Sequence, residues 1–164
     1  MELATIRIAE PRDRTPIDAI YRHYVLNSTC TYQEQQEDDA ARQAWFDAHG
    51  ERHPLTVLET GGEVIGWASL SPWKDRSAYR FTCELSVYLR HDVRGQGHGA
   101  RLLADLVERA TALGYHAILG GISADQEASI RLHERMGFTR VAHFRETGFK
   151  FGQWIDVGYW ELIL

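Results

Sequence analysis

The chain has 164 residues, the size of one domain, 1–164, built on a single core. Its net charge is −5, and without a basic run that balance argues against nucleic acid or an anionic membrane as partner. No apolar run is long enough for a signal peptide or a membrane span. The two cysteines, Cys30 and Cys83, are too few and too far apart for a zinc knuckle or a disulfide framework, so a reduced, cytoplasmic setting with no metal is expected.

Residues 3–9 alternate and predict a strand. Thr15 followed by Pro16 predicts a helix start, with Thr15 as N-cap, running to about Asn27. Residues 38–49 read as a second helix. Residues 55–73 read as two strands around a Gly61-Gly62 turn, a hairpin signal. Residues 78–90 predict one long strand. From Ala100, apolar residues at 102, 103, 106, 107, 110 and 113 make an amphipathic helix stopped by Gly114. Residues 116–123 predict a buried strand and 126–138 a helix closed by Gly137; 139–147 and 154–164 are strands. This order predicts an α/β (α+β) fold, a central mixed and mostly antiparallel sheet with helices on both faces. The strands flanking the 100–114 helix should be parallel neighbours or near neighbours, joined by a right-handed crossover.

Between the long strand and that helix stands "VRGQGHGARLL", Val93 to Leu103, with three glycines in five residues. No Gly-Lys-Ser/Thr follows, which excludes a nucleotide P-loop. Gly95, Gly97 and Ala100 spell G-x-G-x-x-A, the dinucleotide fingerprint, but it lies past mid-chain and the next strand ends in Gly120-Gly121 rather than an acidic residue. A plain tight turn would need one glycine. What remains is a pyrophosphate cradle: bare N–H groups at a helix N-terminus, with Arg94 adding charge.

The spacing Arg94-x-x-Gly97-x-Gly99 after "SVYLR" resembles the coenzyme A loop of the GCN5-related N-acetyltransferases (GNAT). The resemblance implies acetyl-CoA as cosubstrate. Its diphosphate would lie on Arg94, Gly95, Gln96, Gly97, His98, Gly99 and Ala100, and its pantetheine arm along the backbone of Val87, Tyr88 and Leu89 as an added strand. "ADQEASIRLHERMGF" resembles the family's N-x-x-S/A-x-x-x-Y-x-x-x-G-F helix, with Ser129, Gly137 and Phe138 in place, Gln126 for the asparagine and His133 for the tyrosine. "SPWKDRSAYRFTCE" (71–84) and "GFKFGQWIDVGYW" (148–160) resemble segments of the phosphinothricin N-acetyltransferases. That subfamily acetylates the α-amine of glutamate-like analogues such as phosphinothricin or methionine sulfone and sulfoximine. Homodimers are common among such enzymes, which the aromatic tail also suits.

Acetylating an amine requires a base for its proton, a polarised thioester carbonyl and a leaving sulfur that gains a proton. Glu84, mid-strand between Cys83 and Leu85, is the candidate base, working through a water; the alternative is a carboxylate paired with an arginine across the sheet. A backbone N–H near Tyr88 or Leu89 would meet the oxyanion. His133 is the candidate acid for the thiolate, as an imidazolium, or else a half-exposed helix histidine facing solvent. Lys74, Asp75, Arg76 and Tyr79, with Tyr32, are expected to bind the acidic ends of the substrate; otherwise the cations are solvated loop charge. Cys83 faces away from Glu84 along the strand and is expected to be a small buried hydrophobe, not a nucleophile. The expected activity is acetyl transfer through a ternary complex. The rivals are a protein N-terminal or lysine acetyltransferase of the same fold, and a non-catalytic acetyl-CoA sensor.

Overall fold

The structure, a computed structural model, describes residues 3–164. Seven strands form one sheet: β1 (Thr5–Ile8), β2 (Leu55–Thr60), β3 (Glu63–Pro72), β4 (Thr82–Leu89), β5 (Ala117–Ser123), β6 (Thr139–Lys150) and β7 (Gln153–Ile163). Their order is β1-β2-β3-β4-β5-β7-β6, and β4–β5 is the one parallel pair among them. The mixed, mostly antiparallel sheet expected from the sequence is therefore present.

Helices cover both faces. α1 (Arg14–Asn27) buries Ile17, Ile20 and Tyr24 against Leu55, Val57 and Trp67, with α2 (Asp39–Asp47) beside it. α3 (His98–Ala112) buries Leu102, Leu103 and Leu106 on the other face against Ala68, Leu70 and Leu85. α4 (Glu127–Arg135) follows β5, and Phe138 closes the same core. Alternation along the strands feeds both cores: Trp67 joins the α1 side and Ala68 the α3 side. Asp38 caps α2 by accepting from the Ala41 N–H at 2.8 Å.

Of the boundaries that differ from the sequence reading, two have a clear local cause. Thr15 is not an N-cap: α1 begins at Arg14, led in by a 3-10 turn over Pro11–Asp13. Asp13 accepts from the Glu10 N–H at 2.7 Å and from Arg7, which fixes the start ahead of Thr15. Pro16 then sits in the first turn, where a missing N–H leaves no bond unmade. The strand expected from residue 78 begins at Thr82, because Ser77–Tyr79 makes a 3-10 turn in which the Tyr79 N–H donates to Arg76 O at 2.9 Å. Gly61 and Gly62 both have positive φ, 57° and 77°, as a tight hairpin turn requires. Among the described residues no helix is long and apolar enough to cross a membrane, and no cluster of three or more His, Cys, Asp or Glu could hold a metal ion.

Candidate active site

The parallel pair β4–β5 is short. Only Thr82↔Ala117, Cys83↔Ile118 and Glu84↔Leu119 are in register. Beyond them β4 stays paired to β3 as far as Leu89, and β5 to β7 as far as Ser123. The sheet therefore splays, with Glu84 at the base of the V. Along Leu85–Leu89 the edge facing β5 has no strand partner among the described residues, which leaves its backbone groups, apart from the Leu89 carbonyl, open to pair with an extended ligand. A cleft of about 620 Å³ fills the splay. Val87, Tyr88 and Leu89 line one arm, and Leu89 is steadied by the Tyr24 hydroxyl, which donates to its carbonyl.

At the mouth of the cleft, Arg94, Gly95, Gly97, Gly99 and Ala100 line the start of α3. No side chain caps that helix, and its first backbone bond is Arg101 N–H to Gly97 O at 3.2 Å. The N–H groups of His98, Gly99 and Ala100 thus have no partner within the helix. The three glycines divide by role. Gly95 (φ +79°) and Gly97 (φ +81°) are left-handed, and a Cβ on either would stand in open space, where a ligand can approach. A Cβ on Gly99 would lie 3.2 Å from Leu132 Cδ2, so this glycine serves the packing of α3 on α4. Gln96 is exposed outside the cleft lining. His98 is half-buried, with Nδ1 lacking a partner among the described residues. Free N–H groups, an arginine and space for close approach fit a coenzyme A diphosphate.

Glu84 is half-buried, and among the described residues no cation lies within 4.0 Å of its carboxylate, so the cross-sheet arginine pair is not formed. Burial raises its pKa above the ordinary glutamate value, and the charge of Lys74 partly offsets this. Glu84 shares its strand face with Tyr88, which packs in the α1-side core, so the carboxylate opens towards α1. His133 stands on the opposite side, on α4. It is 4% exposed, not the half-exposed solvent-facing residue considered from the sequence. Its Nδ1 lies 2.8 Å from Ser129 O, which assigns the proton to Nδ1 and leaves Nε2 as a lone pair. That Nε2 is buried in the cleft wall without a partner among the described residues. Burial lowers its pKa, so the resting form is neutral imidazole rather than the imidazolium expected above.

The family model for the acetyltransferase (GNAT) family matches residues 17–138. The chain belongs to the GNAT acetyltransferase family. It is 42% identical over 163 residues to an L-methionine sulfoximine/L-methionine sulfone acetyltransferase of Pseudomonas paraeruginosa, covering 98% of this chain and 95% of the relative. A phosphinothricin N-acetyltransferase of Streptomyces viridochromogenes is 34% identical over 159 residues, 95% of this chain and 85% of the relative. The solved structure of a GNAT superfamily phosphinothricin acetyltransferase from Sinorhizobium meliloti, in complex with acetyl-CoA, superposes with a TM-score of 0.94 at 39% identity, covering 98% of this chain and 88% of that one.

For this GNAT enzyme the structure also separates residues that the sequence grouped together. Lys74, Asp75, Arg76 and Tyr79 do not line the cleft; with Trp73 they form a hollow of their own, about 560 Å³. The reason is topological. The 73–81 connection leaves β3 at Pro72, opposite Cys83, at the closed end of the β4–β5 pair, while the cleft opens at the other end. Only the charge of Lys74 reaches Glu84. Tyr32 does line the cleft, its hydroxyl 3.2 Å from Ser123 Oγ. Gln126 lines it too, but its amide donates to Thr29 Oγ1 at 3.0 Å. Cys83 is fully buried on the α3 side, and burial pushes its thiol up to about 12.

Sequence reasoning missed the glycine pair at the base of the splay. A Cβ on Gly120 would lie 3.2 Å from His133 Nε2; one on Gly121 would lie 3.3 Å from the Tyr159 ring and 3.4 Å from Glu84 Oε1. Successive residues face opposite sides, so the pair makes room for the imidazole on one face and the carboxylate on the other. Tyr159 was missed as well: the charge of Glu84, added to burial, raises its pKa. Two consecutive glycines inside a buried strand were the available signal.

Proposed function

We propose that this enzyme transfers the acetyl group of acetyl-CoA to the α-amine of a small glutamate-like amino-acid analogue, of the methionine sulfone, methionine sulfoximine or phosphinothricin type, with both substrates bound together. The observation that carries the reading is the splay itself: a backbone edge for an extended thioester, with an unpaired, half-buried Glu84 at its base. The names of the relatives support the substrate class. The bound thioester supplies an activated acetyl group. The Arg94–Ala100 segment and the open edge at Val87, Tyr88 and Leu89 hold the cofactor, while Gln126, just ahead of α4, borders it.

Glu84 takes the proton of the amine, through a water. Its raised pKa makes it a better acceptor near neutral pH than an exposed glutamate. His133, neutral at rest, offers Nε2 as a proton relay on the α4 side: it accepts the second proton that the attacking nitrogen sheds once its bond to the acetyl carbon has formed, and returns that proton to the sulfur as the carbon–sulfur bond breaks. The full burial of Cys83 in the α3-side core and its suppressed ionisation favour direct transfer over an acyl-cysteine. Tyr32 borders the amine. Lys74 contributes through its charge, and Asp75, Arg76 and Tyr79 keep a place only as the rim of the neighbouring hollow. A cytoplasmic homodimer belongs to the same reading, supported by Phe149, Phe151 and Trp154 on the β6–β7 hairpin, which are 50%, 53% and 64% exposed.

The test is release of free thiol from acetyl-CoA with L-methionine sulfone, L-phosphinothricin and an alanine-terminated peptide. Turnover with the first two and little with the peptide supports the reading. A preference for the peptide would move the enzyme to protein N-termini. Acetyl-CoA binding with no thiol release from any amine would leave a sensor.

A further inference from the structure

Lys150 has no part in the chemistry above, yet it is among the largest fully buried side chains, 1% exposed. It ends β6 at the tight turn Phe151–Gly152, whose φ values are 52° and 73°. A lysine ammonium carries three protons, and burial is costly unless each meets an acceptor. Here Nζ donates to Ser28 O at 2.6 Å and to Thr31 O at 2.8 Å, and Tyr24 O lies at 3.5 Å. All three carbonyls belong to the last turn of α1 and the segment just after it. A cation at a helix C-terminus also meets the negative end of the helix dipole.

The same segment is tied on two sides, to α1 and to the β5 arm of the splay. On the α1 side, the hydroxyls of Tyr21 and Thr31 are 2.8 Å apart. On the β5 side, Ser123 Oγ donates to Thr29 O at 2.6 Å, and Thr29 Oγ1 donates to Asp125 Oδ2 at 2.6 Å. Residues 28–32 therefore cross the open end of the V, and Thr29 and Thr31 are only 6% and 4% exposed. Cys30, Thr31 and Tyr32 form cleft wall. This crossing lies on the α1 face, the face to which Glu84 opens.

We propose that Lys150 is a positioning residue for acceptor selection: its ammonium pins residues 28–32 as a fixed strap across the amine end of the cleft, and the strap limits the acceptor to a small free amino acid. This rests on the reading above that the amine approaches Glu84 from that face. A strap held only by its own sequence would be an ordinary mobile loop; held from three other elements, it has one position and one aperture.

Two variants test this. Lys150→Met removes the three ammonium contacts, and Thr29→Val, nearly isosteric, removes the Asp125 bond at the other end together with the one Gln126 donates. In both, the KM for L-methionine sulfone should rise about tenfold or more while that for acetyl-CoA stays within about twofold. Discrimination between L-methionine sulfone and the dipeptide methionyl-alanine should fall about tenfold. Hydrogen exchange of the 29–32 amides should accelerate while that of β4 does not. An unchanged KM for the amine, or equal rises for both substrates, overturns the proposal. So does unchanged exchange at 29–32. If Lys150→Met does not fold, Thr29→Val decides by the same criteria. If the wild-type enzyme releases no thiol with L-methionine sulfone, the substrate reading fails, and the strap is then judged by exchange alone.

Discussion

The two arms of the splay recognise by different means. The β4 arm and the glycine loop after it present main chain: a free edge from Leu85 to Leu89, left-handed Gly95 and Gly97, and uncapped N–H groups of α3. The β5 arm presents side chains brought from elsewhere: His133 from α4, Tyr159 from β7, and a strap held by Lys150 from β6. Main chain suits a long, invariant ligand, because amides repeat and need only clear space. Side chains suit the reacting end, where a proton must go to one atom and size must be judged.

The sharpest way to break this contrast is at the junction of the arms. Glu84→Gln should lower kcat by about 10²- to 10⁴-fold, the usual range for a general base, and leave the Kd of acetyl-CoA unchanged by calorimetry. Because burial raises the Glu84 pKa, the acid limb of the wild-type pH–rate profile should lie above the ordinary glutamate value of 4.5. Below that limb the carboxyl holds its proton and cannot accept another, so the rate rises with pH through it. Glu84→Gln should erase the limb, and a limb retained in the variant would assign it to another group.

A smaller loss is expected on the main-chain arm. Gly97→Val forces a branched residue to φ +81°, a strain of about 1–3 kcal/mol, and sets its side chain in the space a ligand needs. The KM for acetyl-CoA should rise about tenfold or more in steady-state assays, with the acceptor preference unchanged. On the side-chain arm, Gly120→Ala should press on His133 Nε2 and lower kcat by about tenfold, with acetyl-CoA binding little altered. The smallest effect belongs to Gly99→Ala. Its Cβ would press on the movable end of Leu132 and touch Leu89 Cδ1 at an ordinary 3.8 Å, and alanine's helix propensity offsets the closer contact, so thermal melts should show a stability change below about 1 kcal/mol. A large loss of affinity there would put Gly99 with Gly97 and erase the division among the three glycines.

How much of this could be read from the chain follows the same division. The glycine loop was legible, since its parts lie within a few residues and each glycine marks a local backbone need. Glu84 was legible as a charge misplaced in an apolar strand. The position of His133 was legible but its protonation was not: the sequence offered an imidazolium or a solvent-facing residue, and burial produced neither. The cations of the 73–81 connection read as substrate ligands from their nearness to Glu84; the structure puts them around a hollow of their own, because nearness in sequence does not say which end of the strand pair opens. Lys150 went unnoticed as a functional residue. Its partners are 119, 122 and 126 positions away, and no local pattern distinguishes it from a lysine at the surface.

Periodicity and glycine punctuation thus determined the elements, their mixed order and the glycine loop, since strand alternation, helix amphipathicity and left-handed turns are properties of neighbouring residues. Where the β4–β5 ladder stops, which face Glu84 opens to, what holds the strap and which histidine nitrogen is left bare were decided by tertiary structure alone. Each depends on which distant groups share a buried volume, and burial sets both the cost of a charge and the partner it must find.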